Sequence, residues 1–486
     1  VSDPADFVPA RRVVVVGGGI AGLTAAYRLA TTAPAGTAVT LLEASPTLGG
    51  KLRTTALAGL PVDEGAESLL ARVPEALDLA TEVGLAPEVV YPATTKAWLW
   101  TRGALRPVPS GTVMGVPADL RALDRSGVLS AAGSLRVPLD VLLPRTPIGD
   151  DVAVGWYVGQ RLGREVVERL VDPLLGGVYA GRAADLSLAA TVPALAEAAR
   201  RHRSLVAAAR AAAPRATAPG ATEPRDRGGE PVPVFAAVRG GLGRLCDAVA
   251  VAATAAGAEL RTRATARELI RRSGGGWLVE IGPAGRSERL VADAVVVAVP
   301  ARPAARLLAK VAPVAARELD GIDYASMALV TLAFTAESLR VPAGSGFLVP
   351  AVDGRLVKAV TFLSAKWPWL RDAAPGLEVV RCSVGRYGDT AAVRRDDRDL
   401  VTACAAELAE AVGARGRVVA SRVSRWGGGL PQYAVGHRAR VERIRTTLAV
   451  DPSLAVCGAA YDGVGVPACI RTAEAAVERV LPTLRR

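Results

Sequence analysis

Histidine is almost absent from this chain: 486 residues hold two, His202 and His437, and neither has a cysteine or histidine partner at metal-ligand spacing. A resident metal centre and a Ser-His-Asp triad are therefore poorly supplied, and no residue is assigned to a metal. His437 reads as a packing or hydrogen-bonding residue rather than a base. Five cysteines (Cys246, Cys382, Cys404, Cys457, Cys469) form no C-x-x-C pair and read as reduced, buried thiols. Aromatic residues make up only 4% of the chain, too few for the stacking platforms of a nucleic-acid binder. No apolar run approaches the roughly 20 residues of a membrane span, and "VSDPADFVPARR" lacks a basic start followed by a hydrophobic core. These absences predict a cytoplasmic protein, with contact at a membrane surface left open, whose chemistry is carried by a cofactor.

What is present begins with bulk. The length calls for two or three lobes, and a formal charge of +12, carried mostly by arginine, suits anionic lipid or an acidic small molecule better than nucleic acid. Near the start, "VVVVGGGIAGLTAAYRLA" reads as a buried strand, a bare turn and a helix. Gly17, Gly19 and Gly22 stand at the fixed positions of G-x-G-x-x-G: the first for the turn, the second for close approach of a pyrophosphate, the third for helix–strand packing. The first N–H groups of the helix then point at the anion. A second strand, "TAVTLLEAS", ends in Glu43, 21 residues beyond Gly22, where a carboxylate accepts from a ribose diol.

Further along, "PTLGGKLRT" exposes main chain again at Gly49 and Gly50. Residues 96–203 read as helical, with apolar positions recurring at three and four. A Pro/Gly/charge-rich tract at 213–231 cannot build a core and reads as a loop. "RGGLGRLCDAVA" opens a helix on a glycine turn, "RLVADAVVVAVPA" supplies strand, and "LAVCGAAYDGVGVPACIRTAEAAVERVL" closes the chain with strand, glycine turn and amphipathic helix. If the first and last turns face one ligand, the lobe that holds it is assembled from the beginning, middle and end of the chain.

On "VVVVGGGIAGLTAA", "LLEASPTLGGKLRT" and "RGGLGRLCDAVA" the chain resembles the FAD-dependent amine oxidase and phytoene desaturase superfamily. On "DEGAESLL", "LVDPLLGGVYAGRAADLSL", "RWGGGLPQYAVGH" and "YDGVGVPACI" it resembles, within that superfamily, the protoporphyrinogen and coproporphyrinogen oxidases. The resemblance implies an α/β fold: a discontinuous Rossmann-like FAD-binding domain (1–75, 235–305, 440–486), a mixed-sheet substrate domain (76–95, 306–439), an inserted helical domain of the peripheral-membrane type (96–205) and a flexible loop (206–234).

It also implies FAD contacts at Gly17, Gly19, Ile20, Ala21, Gly22, Glu43, Ala44, Gly50 and Lys51, where relatives more often carry arginine in place of the lysine. Gly65, Ala66, Glu67 and Ser68 are expected beside the flavin ring, Ala266 beside adenine, and Val464, Gly465 and Val466 at the start of the closing helix, where "PACI" replaces the Pro-Asp-Cys-Ile of many relatives. For the substrate it implies Arg102 as a carboxylate ligand with Lys96 behind it, Val178 and Tyr179 as lining residues, and the main-chain carbonyl of Gly177 as a group polarising a pyrrole N–H. The implied reaction is oxidation of coproporphyrinogen III, or alternatively protoporphyrinogen IX, with dioxygen as acceptor and a ferrochelatase as a haem-pathway partner. An amine oxidase or carotenoid desaturase, and a flavin-free binder of the GDP dissociation inhibitor type, are the competing readings.

Overall fold

The valines from Val13 to Val16 are each no more than 4% exposed, because the strand they form, Arg12–Val16, is buried on both faces and paired on both edges. In the computed structural model, which describes residues 11–213, 233–283 and 286–485, it lies parallel to Ala38–Leu42 on one side and to Ala294–Val297 on the other. Glu259–Arg261 and Leu454–Val456 extend this sheet, also in parallel. A parallel sheet needs both faces covered, which is why its strands are apolar runs rather than alternating ones. The first helix, Ile20–Thr32, packs against Gly243–Ala255 and the closing helix, Val466–Leu484. Ile20–Thr32 and Val466–Leu484 each follow a strand of the sheet, so their N-termini stand at its carboxyl edge, the side on which open α/β sheets bind ligands.

A second sheet has seven strands in the order Val418–Pro431, Tyr324–Thr335, Leu377–Val384, Val357–Phe362, Gly346–Leu348, Trp98–Thr101 and Ala104–Pro107. One face packs on the helix Asp397–Val412 through a core that includes Val330, Phe362, Cys382, Leu400 and Cys404. The pairing is mostly antiparallel, with Gly346–Leu348 parallel to Trp98–Thr101. The sheet is therefore mixed.

Helices between Leu120 and Ala212 form a third body with its own apolar core, centred on Tyr157, Val158, Leu170, Leu175 and Leu195. A fully buried ion pair ties it together. Arg161 donates to Asp140 at 2.6 Å, and the other carboxylate oxygen accepts from the Ser204 hydroxyl at 2.6 Å and the Val206 N–H at 3.0 Å. Removing either partner would strand a charge in this core.

Two expectations require correction. Residues 98–107 are not helical but a hairpin at the edge of the seven-stranded sheet; Arg102 and Gly103 at its tip both have positive φ, +54° and +73°, the backbone of a two-residue turn whose twist matches paired strands. The expected loop at 206–234 begins with helix: Leu205–Ala212 is alanine-rich and capped by Ser204, whose side chain accepts from the Ala207 N–H. Most of the Pro/Gly-rich tract lies outside the described residues. Among the described residues no helix is long and apolar enough to cross a membrane.

Candidate functional site

The three motif glycines have different reasons to be glycine. A Cβ on Gly22 would fall 1.8 Å from the Gly17 carbonyl oxygen, and one on Gly17, whose φ is +113°, would fall 2.5 Å from that of Ala298. Those two are demanded by packing of strand, turn and helix. Gly19 is in an ordinary extended conformation, and the nearest atom to a Cβ there is the Gly50 Cα at 4.0 Å. Nothing in the protein itself requires its side chain to be missing. The bare peptide of Gly19, bridged to Gly49 and facing Gly50, therefore fronts a gap that a side chain would fill.

Behind this gap the first helix has no side-chain cap and no acidic residue in its first turn, although Ile20 and Ala21 are buried. The closing helix, capped by Gly465, is equally bare. Two uncapped helix N-termini at the carboxyl edge of one sheet are an anion site in waiting. Glu43 stands beside it: one carboxylate oxygen accepts from the Gly18 N–H at 2.6 Å and the other from the Ser45 N–H at 2.7 Å. These bonds hold the group at the end of its strand and leave lone pairs for a ribose hydroxyl. The Ala264 N–H bonds the Glu43 carbonyl at 2.8 Å, so Ala266 lies close to this end, while Ala44 is exposed on the rim.

Toward the middle of the molecule, the Lys51 ammonium lies 5.9 Å from the centre of the Tyr324 ring. Burial pushes its pKa below the usual lysine range, and it has no carboxylate partner among the described residues. Its backbone carbonyl explains Gly65, where a Cβ would sit 1.9 Å away. Glu67 is held by two cations. Its buried carboxylate takes one cation on each oxygen, Lys366 at 2.7 Å and Arg381 at 2.7 Å, which hold its pKa below the usual carboxylate range despite burial. Arg381 also donates to the carbonyls of Asp63 and Gly65, at 3.2 and 3.0 Å. Glu67 is thus an anchor for the 65–68 segment, in which Ala66 is exposed and Ser68 half-buried.

The three bodies meet at one place. Leu348 from the seven-stranded sheet and Val464 from the turn before the closing helix both pack on the helical core, next to Tyr179 and Tyr433. Gly177 and Val178 sit exposed in the last turn of the helix Asp172–Tyr179, where main-chain carbonyls lack helical partners; a Cβ on Gly177 would be 3.5 Å from Leu348. Tyr179 itself is turned inward, 6% exposed and 5.6 Å from the Tyr433 ring, and burial pushes its hydroxyl pKa up to about 12. Lys96 and Arg102 are not brought together. They flank opposite ends of the four-residue strand Trp98–Thr101, and six steps of near-extended chain separate them by about 20 Å. Arg102 pairs with Glu165 at 3.4 Å, whereas Lys96 is exposed with no ion pair among the described residues.

Sequence reading passed over the group that holds the turn ahead of the closing helix. The Tyr433 hydroxyl accepts from the Gly463 N–H at 2.8 Å and donates to the Ala459 carbonyl at 2.7 Å. His437 Nε2 meets the Tyr461 carbonyl at 3.0 Å. The signal was present in "QYAVGH", where tyrosine and histidine stand four residues apart.

Comparison with known proteins agrees with this geometry. The family model for flavin containing amine oxidoreductase matches residues 20–481. The coproporphyrinogen III oxidase of Mycobacterium tuberculosis (strain H37Rv) is 36% identical over 480 residues, covering 98% of each chain. That of Bacillus subtilis is 31% identical with the same coverage, and the protoporphyrinogen oxidase of Bos taurus is 30% identical over 97% of this chain and 99% of its own. Among solved structures, an Exiguobacterium sp. 255-15 protein provisionally described as a protoporphyrinogen oxidase superposes with a TM-score of 0.82 at 31% identity, over 97% of this chain and 99% of its own. Cyclohexylamine oxidase from Brevibacterium oxydans, at 15% identity and a TM-score of 0.67 over 98% and 100%, shares the fold.

Proposed function

The chain belongs to the flavin containing amine oxidoreductase family, and within it we propose that it oxidises coproporphyrinogen III to coproporphyrin III on bound FAD, with dioxygen as final acceptor and hydrogen peroxide as co-product. The observation that carries the reading is likeness along nearly the whole chain to proteins of that activity, combined with a dinucleotide cradle whose bare Gly19, uncapped helix ends and unpaired Lys51 fit FAD. In this reading the N–H groups of the first helix bind the pyrophosphate, Glu43 binds the adenosine ribose, the main chain of Ala266 borders adenine, and Val464, Gly465 and Val466 border the ring.

Bound FAD supplies a two-electron acceptor, used once for each of the three oxidations that turn a porphyrinogen into a porphyrin. The protein's part is to hold a bridging carbon of the macrocycle against that acceptor and to keep water and early release out. Val178 and Leu348 supply apolar wall, and the free carbonyl of Gly177 accepts a pyrrole N–H and makes its loss easier. No side-chain base is required. His437 cannot serve as one at the junction, since its ring is spent on the Tyr461 carbonyl and on packing.

Coproporphyrinogen III is preferred to protoporphyrinogen IX because four carboxylates suit a chain of charge +12 better than two. A ferrochelatase is the proposed next user of the product. We propose that any contact with a membrane surface is made by the helical body, a reading supported by the exposed Leu135, Leu139, Val141 and Leu142 beside Arg136 and Arg203. The test supplies each porphyrinogen anaerobically, admits air and follows porphyrin fluorescence with and without the protein. Faster fluorescence with coproporphyrinogen III supports the proposal, and no acceleration with either substrate ends it.

A further inference from the structure

Two cations stand side by side where strand Val357–Phe362 enters the seven-stranded sheet. Its pairing with Leu377–Val384 slips between Val357 and Ala359, which leaves Lys358 as the extra residue of a β-bulge. Bulges of this kind re-aim a side chain and are common beside binding sites. Lys358 is only 6% exposed, yet its ammonium has no ion pair among the described residues; the charge that faces it is the guanidinium of Arg386. Arg386 is itself fixed by backbone, donating to the carbonyls of Val349 and Arg355 at 3.1 Å and of Val357 at 3.5 Å.

The acids of the surrounding elements answer Arg386 rather than Lys358: Asp172, Asp389 and Glu407 act on the guanidinium, and among the described residues the only charge that acts on the ammonium is Arg386 itself. Asp172, at the start of the helix Asp172–Tyr179, accepts the Ala183 N–H at 2.6 Å, and Glu407, from the helix beneath the sheet, accepts the N–H groups of Leu356 and Val357 at 2.9 Å each. Glu410 is paired with Arg355. A buried ammonium beside a second cation, with no carboxylate of its own, is an expensive arrangement that an apolar side chain would avoid. An anion from outside the chain removes the expense.

The location suits the substrate. Ala359, the next residue, pairs with Leu348, and Leu348 is the side chain that faces Gly177. The helix Asp172–Tyr179 packs on both strands. We infer that Lys358, backed by Arg386, is an anion subsite that takes one carboxylate of the substrate at the edge of this junction. Burial and the neighbouring guanidinium bring the lysine pKa down to about 7, and an arriving carboxylate would restore its charge.

This inference rests on the reading of the substrate given above, and the test separates the two. Wild type, Lys358→Met and Lys358→Arg are compared in KM and kcat for coproporphyrinogen III, and in Kd for coproporphyrin III and its tetramethyl ester by fluorescence. Lys358→Met is expected to raise KM about tenfold with kcat within about twofold, and to reduce the preference for the free acid over the ester by a similar factor, while Lys358→Arg restores most of both. A structural defect alone would weaken acid and ester alike. An acid-to-ester ratio in Lys358→Met within about twofold of wild type overturns the subsite. If Lys358→Met does not fold with flavin bound, Lys358→Gln is judged by the same ratio. Wild type that binds the acid but oxidises neither porphyrinogen would instead defeat the proposed function and leave the subsite to be decided by the ratio.

Discussion

The ring of Tyr433 lies face to face on that of His437, centroids 3.9 Å apart and planes inclined by 12°. The stack carries the hydroxyl that bridges Ala459 and Gly463 and the imidazole that holds Tyr461, so one pair of aromatic rings fixes three points of the turn from which Val464 and Gly465 are presented. Tyr433→Phe keeps the stack and loses both hydroxyl bonds. It is expected to cost about 1–3 kcal/mol in denaturant unfolding, because the half-buried Gly463 N–H and Ala459 carbonyl lose their partner, and to lower the flavin retained on gel filtration. Unchanged stability with full flavin content would remove the turn from the account.

The motif glycines give a paired experiment. Gly22→Ala drives a methyl into the Gly17 carbonyl and is expected to abolish folding, read as loss of the cooperative far-ultraviolet transition. Gly19→Ala meets no protein atom closer than 4.0 Å and is expected to fold while losing most of its flavin absorbance. A yellow Gly19→Ala protein at wild-type occupancy would mean that the gap is not where the phosphates lie.

His437 is buried, and burial pushes its pKa down to about 4 from an ordinary value near 6.5. A depressed imidazole pKa favours the neutral ring in the folded state. The resulting stability is fully present above the unfolded pKa and falls as pH drops from about 6.5 toward 4, on the order of 3 kcal/mol over the window. Asp63, which caps the helix Gly243–Ala255 through the Leu242 N–H, has the opposite sign: burial raises its pKa to about 6, so its contribution weakens as pH rises through the same range. The informative quantity is therefore the difference between wild type and His437→Gln. That difference should shrink on acidification, and a pH-independent difference would place the imidazole in solvent.

Glu67→Gln leaves Lys366 and Arg381 buried without their shared acid. A loss of about 3–5 kcal/mol in chemical denaturation is expected, larger than for an exposed pair such as Arg201–Glu197. Equal effects of the two would show that the Glu67 pair is as well solvated as a surface one.

Of the two cations first put forward for the substrate, Lys96 is free and Arg102 is engaged by Glu165. Lys96→Ala is expected to raise KM for the porphyrinogen several-fold, about 1 kcal/mol, and Arg102→Ala to change it by less than about twofold. The reverse order would restore Arg102 as the carboxylate ligand.

How much of this was legible depended on the range of the interactions involved. The run from Val13 to Gly22, the acid at Glu43 and the glycine turn ahead of Val466 are local patterns: neighbouring residues force the strand, the turn and the bare helix end. The hairpin at 98–107 was misread because Trp98, Leu99 and Trp100 carry no alternation, being covered on one side by the sheet core and on the other by the helical body. The ion-pair partners of Arg102 and Glu67 were not legible, because Glu165 is 63 residues from the first and Lys366 and Arg381 reach the second from another lobe, 299 and 314 residues on. Lys358 had no local signature at all. Its bulge exists only once two distant strands have paired.

The most direct measurement mixes the purified yellow protein with coproporphyrinogen III in the absence of oxygen and then admits air. The account predicts that the flavin absorbance bleaches on mixing, and that air restores it with growth of coproporphyrin fluorescence and hydrogen peroxide. A protein that holds flavin but keeps its colour under excess coproporphyrinogen III would contradict it.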